Sequence, residues 1–225
     1  MWSLAGLLVM AGVTAGCSSS AGSTVKFTDT PENISYASEL RGFDDLGSMT
    51  ATSDLVVKAT VTEVVQGRTS GTAEDGGATT TREVRLRIDK VIYQRHGGKA
   101  PESVLLAEGY WDQSGTGYMV EGLNWSKVGD TGYYFLSGPD DTYTSSDHYA
   151  LVWSQGRVVV TNDGIAISGD YDHEGPWVGV NTSAAGVATF EASLAAAAEA
   201  ARTGKAKVVK PEMCARAPEM AACKG

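Results

Sequence analysis

Charge of either sign is missing from the start of the chain: no Lys, Arg, Asp or Glu precedes Lys26. Signal peptides usually begin with positive charge, so the leader-like segment MWS is atypical in that respect. Long apolar runs are missing too. The longest early stretch, Leu4–Val13, covers about ten residues, ~15 Å of helix, against a bilayer core of ~30 Å. A permanent membrane span is therefore excluded for that stretch. Basic residues are in the minority, 18 Lys+Arg against 27 Asp+Glu, giving a formal charge of −9. An acidic surface is repelled by phosphate backbones, which argues against nucleic acid as a partner. Cysteine is scarce, with three residues, and so is histidine, also with three; neither forms a metal-binding spacing. No G-x-S-x-G occurs and no internal repeat is visible.

What stands at the N-terminus is a short apolar core that ends in VTAGCSSS. A core of this length followed by small residues has the form of a secretory signal. Thr14-Ala15-Gly16-Cys17 resembles the bacterial lipobox, with Thr14 where Leu is usual. That resemblance implies that residues 1–16 are a lipoprotein signal peptide and that Cys17 is lipidated. The chain would then sit on the extracytoplasmic face of a bacterial cell membrane, its diacylglyceryl group supplying the two acyl chains that firm anchoring requires. Cys214 and Cys223 remain as an even pair in the basic tail 205–225. In an exported protein such a pair reads as a small disulfide loop.

Residues 17–33 are rich in Ser and Gly and are expected to form a flexible tether. Residues 34–204 are expected to form a single β-rich domain. Ile34, Leu40, Phe43, Leu46 and Met49 suggest a short helical stretch within 34–53. Leu55, Val57, Ala59 and Val61 then alternate with Val56, Lys58, Thr60 and Thr62, which predicts a half-buried strand. Val84, Leu86 and Ile88 alternate likewise, but Val91 and Tyr93 have the opposite parity, so a bulge is expected near Asp89–Lys90. SVLLAEGYW, GYYFLSG, HYALVW, RVVVT and IAIS complete seven strands, and Asn162-Asp163-Gly164 suits a tight hairpin. The Ala-rich run 189–203 is a strong helix signal, with Thr189 as cap and Gly204 as stop. The fold class predicted is mainly β: a small antiparallel barrel, OB-like, or a sandwich, with a short N-terminal helix and an Ala-rich C-terminal helix.

The order SDLVVKATV, VRLRIDKVIY, SVLL and KVGDTGYYFLSG is similar to a pattern recurring in uncharacterised exported proteins and lipoproteins of actinobacteria. The resemblance covers roughly residues 43–168. It implies a turn at Gly129-Asp130 and core positions at Phe135-Leu136, and it carries no catalytic residues. A looser likeness to OB-like barrels such as netrin-type inhibitor modules concerns shape only.

For chemistry, Asp170, Asp172 and Glu174 before Gly175 resemble the first half of a calcium loop. The twelfth position is Asn181 rather than Glu, so a solvated acidic loop is the expected state and calcium a weak candidate. Asp140, Asp141, Asp172 and Glu174 are the loop acids that an envelope hydrolase would need. Trp125, Trp177 and Tyr171 are the candidate ligand surface, an aromatic platform for a glycan or peptide, whereas Trp153 falls in phase with a core. The leading expectation is a lipid-anchored, non-enzymatic module that binds an envelope protein or glycan and needs no cofactor. An envelope hydrolase and an inhibitor-like or calcium-dependent module are the alternatives.

Overall fold

A computed structural model describes residues 25–35, 42–72, 77–120, 123–138, 147–168 and 175–210. In chain order its elements are β1 (Asn33–Ser35), α1 (Leu46–Thr52), β2 (Leu55–Ser70), β3 (Thr79–Gln94), β4 (Ser103–Asp112), β5 (Gly117–Val120), β6 (Thr131–Ser137), β7 (His148–Leu151), β8 (Arg157–Thr161), β9 (Gly164–Ile167), a 3-10 turn at Gly175–Trp177, and α2 (Gly186–Arg202). The protein is mainly β, as its alternating patterns predict.

Five strands close a ring. β3 and β6 flank β2, β4 pairs with β3, and β7 joins β6 antiparallel on one side and β4 parallel on the other. The remaining strands extend the sheet beyond the ring, β5 and β1 from β4 and β8 and β9 from β6. This closure makes the molecule a barrel.

The strand residues divide by parity. Leu55, Val57, Ala59 and Val61 of β2 meet Val84, Leu86, Val104, Leu106, Tyr134 and Leu136 in one apolar column inside the ring. The intervening residues Val56, Tyr133 and Phe135 lie on the outer face. There they pack with Met49 of α1, Trp177, and Phe190, Leu194 and Ala198 of α2. Burying each such side chain contributes roughly 1.5–3 kcal/mol. The Phe135-Leu136 dipeptide thus serves both cores at once.

The expected bulge is present: Asp89 has no partner between the Lys58–Lys90 and Ala59–Ile88 rungs, and Ile92 is skipped a turn of the pleat later. Gly129 takes φ 97° in the turn before β6, where the Lys127 amide donates to Asp130 Oδ2 at 2.8 Å. In the β8–β9 hairpin Asn162 and Asp163 keep negative φ, and Gly164 alone takes φ 140°. A side chain there would strike the Thr182 carbonyl.

The short helix expected within 34–53 is present. α1 holds seven residues, capped by Asp45, whose carboxylate accepts from the Ser48 amide at 2.7 Å. Its buried Thr50 and Thr52 hydroxyls donate back to Leu46 and Ser48 carbonyls. Ile34 instead joins β1. α2 begins at Gly186, not at Thr189, because Val187 already packs on the outer core; Ala185 caps it without a side-chain bond. Gly204, at φ 69°, ends it as expected.

Two boundaries move. Residues 27–33 are not a free tether: the Thr28 amide donates to Gly115 O at 3.0 Å, the Glu32 amide to Gly117 O at 2.9 Å, and β1 lies parallel on β5. Phe27 packs on Trp111 with ring centroids 5.1 Å apart, and Trp111 Nε1 donates to Thr28 O at 2.9 Å. The apolar ring of Phe27 had no place in a Ser/Gly count. The tail is also docked beyond residue 204, since the Val209 amide donates to Thr52 Oγ1 at 2.8 Å. Among the described residues no helix is long and apolar enough to cross a membrane.

Candidate functional site

Three charged residues occupy positions in phase with the apolar column. Arg82 continues the Val84–Leu86 face of β3, Glu108 the Val104–Leu106 face of β4, and Arg157 stands opposite Tyr134 across the β6–β8 pair. All three are buried, with side-chain exposures of 4% or less. Arg82 Nη1 donates to Glu108 Oε2 at 2.7 Å and Arg157 Nη1 to Glu108 Oε1 at 2.5 Å. Ser126 completes the group: its amide and hydroxyl both donate to Glu108, and its carbonyl accepts from Arg82 Nη2 at 2.8 Å. Arg157 also donates through Nε to Ser168 Oγ at 2.7 Å and through Nη2 to Asn124 O. Burial draws the Arg82 guanidinium below its ordinary value, against the pull of Glu108. This cluster plugs one end of the aliphatic column.

Just outside the plug lies a depression of about 200 Å³, lined by Asn124, Trp125, Ser126, Arg157, Ala166 and Ser168 among others. Trp125 forms part of its wall but is no flat platform. The ring is 8% exposed, carries the Arg82 guanidinium 4.6 Å above its centroid, and stacks edge-on to Trp111 at 5.5 Å. Gly109 and Gly117 admit it, because a Cβ at either position would collide with the indole. Trp177 is fully buried against Phe135 and Phe190. Both expected ligand-surface tryptophans are therefore packed side chains, for a simple reason: large rings beside turns fill the space between sheet and loops. Trp153 packs half-buried against the outer core, as its phase suggests.

On the outer face a second charged group spans sheet and helix. Lys58 Nζ lies 3.2 Å from Glu191 Oε1 and 5.2 Å from the Tyr133 ring centroid, and the Tyr133 hydroxyl donates to the same carboxylate oxygen. These bonds hold the Glu191 carboxyl below its ordinary range, chiefly through Tyr133, and raise the Lys58 ammonium. Burial raises the Tyr133 phenol. A small hollow of about 50 Å³ lies beside them.

His148 lies between two carboxylates, Nε2 3.3 Å from the buried Glu83 and Nδ1 3.2 Å from Asp147. The acids approach opposite ring nitrogens, so they do not converge on one metal position. Among the described residues no group of three His, Cys, Asp or Glu could hold a metal ion. Tyr171, the calcium candidates Asp170, Asp172 and Glu174, the loop acids Asp140 and Asp141, and Cys17, Cys214 and Cys223 all lie outside the described residues.

The ion cluster escapes an alternation reading that tracks apolar residues alone. Its signal is still in the sequence: Arg82 and Glu108 are charges sitting in phase with Val and Leu. Comparison with known proteins finds no matching family model and no similar curated protein.

Proposed function

We propose that the chain is an exported, lipid-anchored, non-enzymatic binding module that engages an envelope protein or glycan through the outside of its barrel. The observation that carries the binding half of this reading is the filled interior. The column from Leu55 to Leu136 is packed with side chains and stoppered by Arg82, Glu108 and Arg157, which leaves recognition to the exterior. The depression beside Arg157 offers hydroxyl and carbonyl groups at Ser126, Ser168 and Asn124 and an indole edge at Trp125, the mixture that orients a polar ligand. The anchoring half is supported by TAGC after a short apolar core.

Two comparisons test it. Cys17→Ala is expected to move the protein from the membrane to the soluble fraction; unchanged partitioning overturns the anchor. Ala166→Trp fills the depression from an exposed position on β9. Capture of envelope glycan or protein by wild type, lost in Ala166→Trp with unchanged thermal unfolding, supports the site. Equal capture by both removes it.

A further inference from the structure

We propose that the depression beside Arg157 takes one neutral sugar ring of an envelope glycan, held by its hydroxyls, and that it rejects anionic sugars. The inference rests on the binding reading above and adds the chemical class of the ligand. Its basis is how the depression is built. The inner face of the sheet, which lines the apolar column within the ring, continues past β6 onto β8 and β9. There it carries two rows of residues in register. Gly132, Val159 and Ala166 form one, and Tyr134, Arg157 and Ser168 the other. The first row is small and apolar, a shelf for the C–H face of a ring, and Gly132 adds no side chain that would fill it. The second row is polar, and Asn124, Ser126 and Asp130 add to the polar lining. The volume is about 200 Å³. That equals several water molecules at ~30 Å³ each, space for one ring of a glycan and not for a length of its chain.

Arg157 has little left to offer an anion. Nε donates to Ser168 Oγ, Nη1 to both Glu108 and Ser126 Oγ, and Nη2 to Asn124 O, which leaves a single N–H. The open groups are its neighbours. Ser168 Oγ accepts from Arg157 and keeps its own proton for a ligand oxygen. Asp130 accepts the Lys127 amide through Oδ2, so Oδ1 is open to hydroxyl protons. The Asn124 side chain is exposed, and its amide can give and receive. Donors and acceptors side by side suit a hydroxyl, which is both. Charge points the same way. Two buried guanidiniums against Glu108 leave one positive charge over, and Asp130 offsets it from the lining. Asp29 also pulls on Arg82, and Lys127 is an exposed cation in the turn with Asp130. The nearest charges in the chain outside the described residues, Glu121, Asp170, Asp172 and Glu174, are negative. A carboxylate or phosphate would therefore sit against Asp130 with one guanidinium N–H in compensation. A protein partner finds no aromatic anchor, because Trp125 is 8% exposed and lies under Arg82.

The test uses the full chain, immobilised in a detergent that has no sugar headgroup. The probes are oligosaccharides released from bacterial envelope by mild acid and parted by anion exchange into a neutral and an acidic fraction. Wild type is expected to retain the neutral fraction and pass the acidic one. Asp130→Asn is expected to weaken neutral retention about tenfold and to admit acidic sugars. Asn124→Ala spares the main-chain carbonyl that holds Arg157, and it keeps the test open if Asp130→Asn loosens its turn. It too is expected to weaken neutral retention about tenfold, with unchanged thermal unfolding. Retention of the acidic fraction by wild type, or neutral retention untouched by Asn124→Ala, overturns the inference. Capture of an envelope protein alone, blocked by Ala166→Trp, overturns the sugar and leaves the site standing. Absence of any capture, or capture that Ala166→Trp does not change, removes the site and the sugar with it.

Discussion

Glu108 illustrates how a buried charge becomes obligatory. Taking an ion out of water costs several kcal/mol, recovered here through two guanidiniums and two Ser126 donors. Glu108→Gln removes the negative charge and leaves Arg82 and Arg157 facing each other. Chemical denaturation is expected to show a loss of about 3–5 kcal/mol. Apolar replacement of both arginines is no remedy, since it strands the Ser126 and Asn124 carbonyls that they satisfy. Glu191 is the opposite case, half exposed and worth at most about 1 kcal/mol. Its carboxyl is depressed below 4.5, so its contribution is full above that pH and fades as pH falls through the folded value. Lys58 and Tyr133 are raised, so their contributions hold below 10.5 and 10.0 and fade as pH rises through the folded values. The stability gap between wild type and Glu191→Gln is therefore expected to be widest near neutrality and to close in acid, as read by urea midpoints across pH 3–8.

The strand extension β4–β5–β1 depends on close backbone approach. Gly117 lies against both the Trp125 ring and the Thr28 hydroxyl, so Gly117→Val is expected to expel the indole and detach β1. Loss of near-UV ellipticity, together with faster amide exchange at residues 32–35 than in β2 or β3, would report it. Unchanged spectra would show that the ring has room elsewhere. These elements also mark how far the sequence could be read. The seven strands with clear alternation, the Asp89 bulge and the Ala-rich helix follow from local pattern, because period and propensity are written residue by residue. β1 and β5 do not. Each is three or four residues long, and each exists because a distant partner supplies its hydrogen bonds. The burial of Trp125 and Trp177 is hidden from local pattern for a related reason: burial of a ring beside a turn depends on which loop crosses it. Within the candidate depression, Trp125 alone is legible in the sequence, and the structure shows it as a packed wall rather than an open platform; Asn124, Ser126, Arg157 and Ser168 meet only through tertiary packing.

At the scale of the whole barrel, closure is uneven. The β2–β3 pair runs for sixteen residues, whereas β7 holds the ring by two register pairs on β4 and two on β6. Native-state exchange is expected to be fastest at this seam and slowest along Val56–Val61, since opening free energy follows the local number of bonds and contacts. Uniform protection would contradict that ranking. The strap laid across Trp111 and β5 has a mechanical meaning as well. A force applied at the N-terminus arrives first at Thr28, then at Glu32 and the three rungs of β1, and reaches the barrel only after these have parted. Their rupture frees residues 25–35, about 35 Å of extra chain, so the load is absorbed by a lengthening thread before any strand of the ring is stretched.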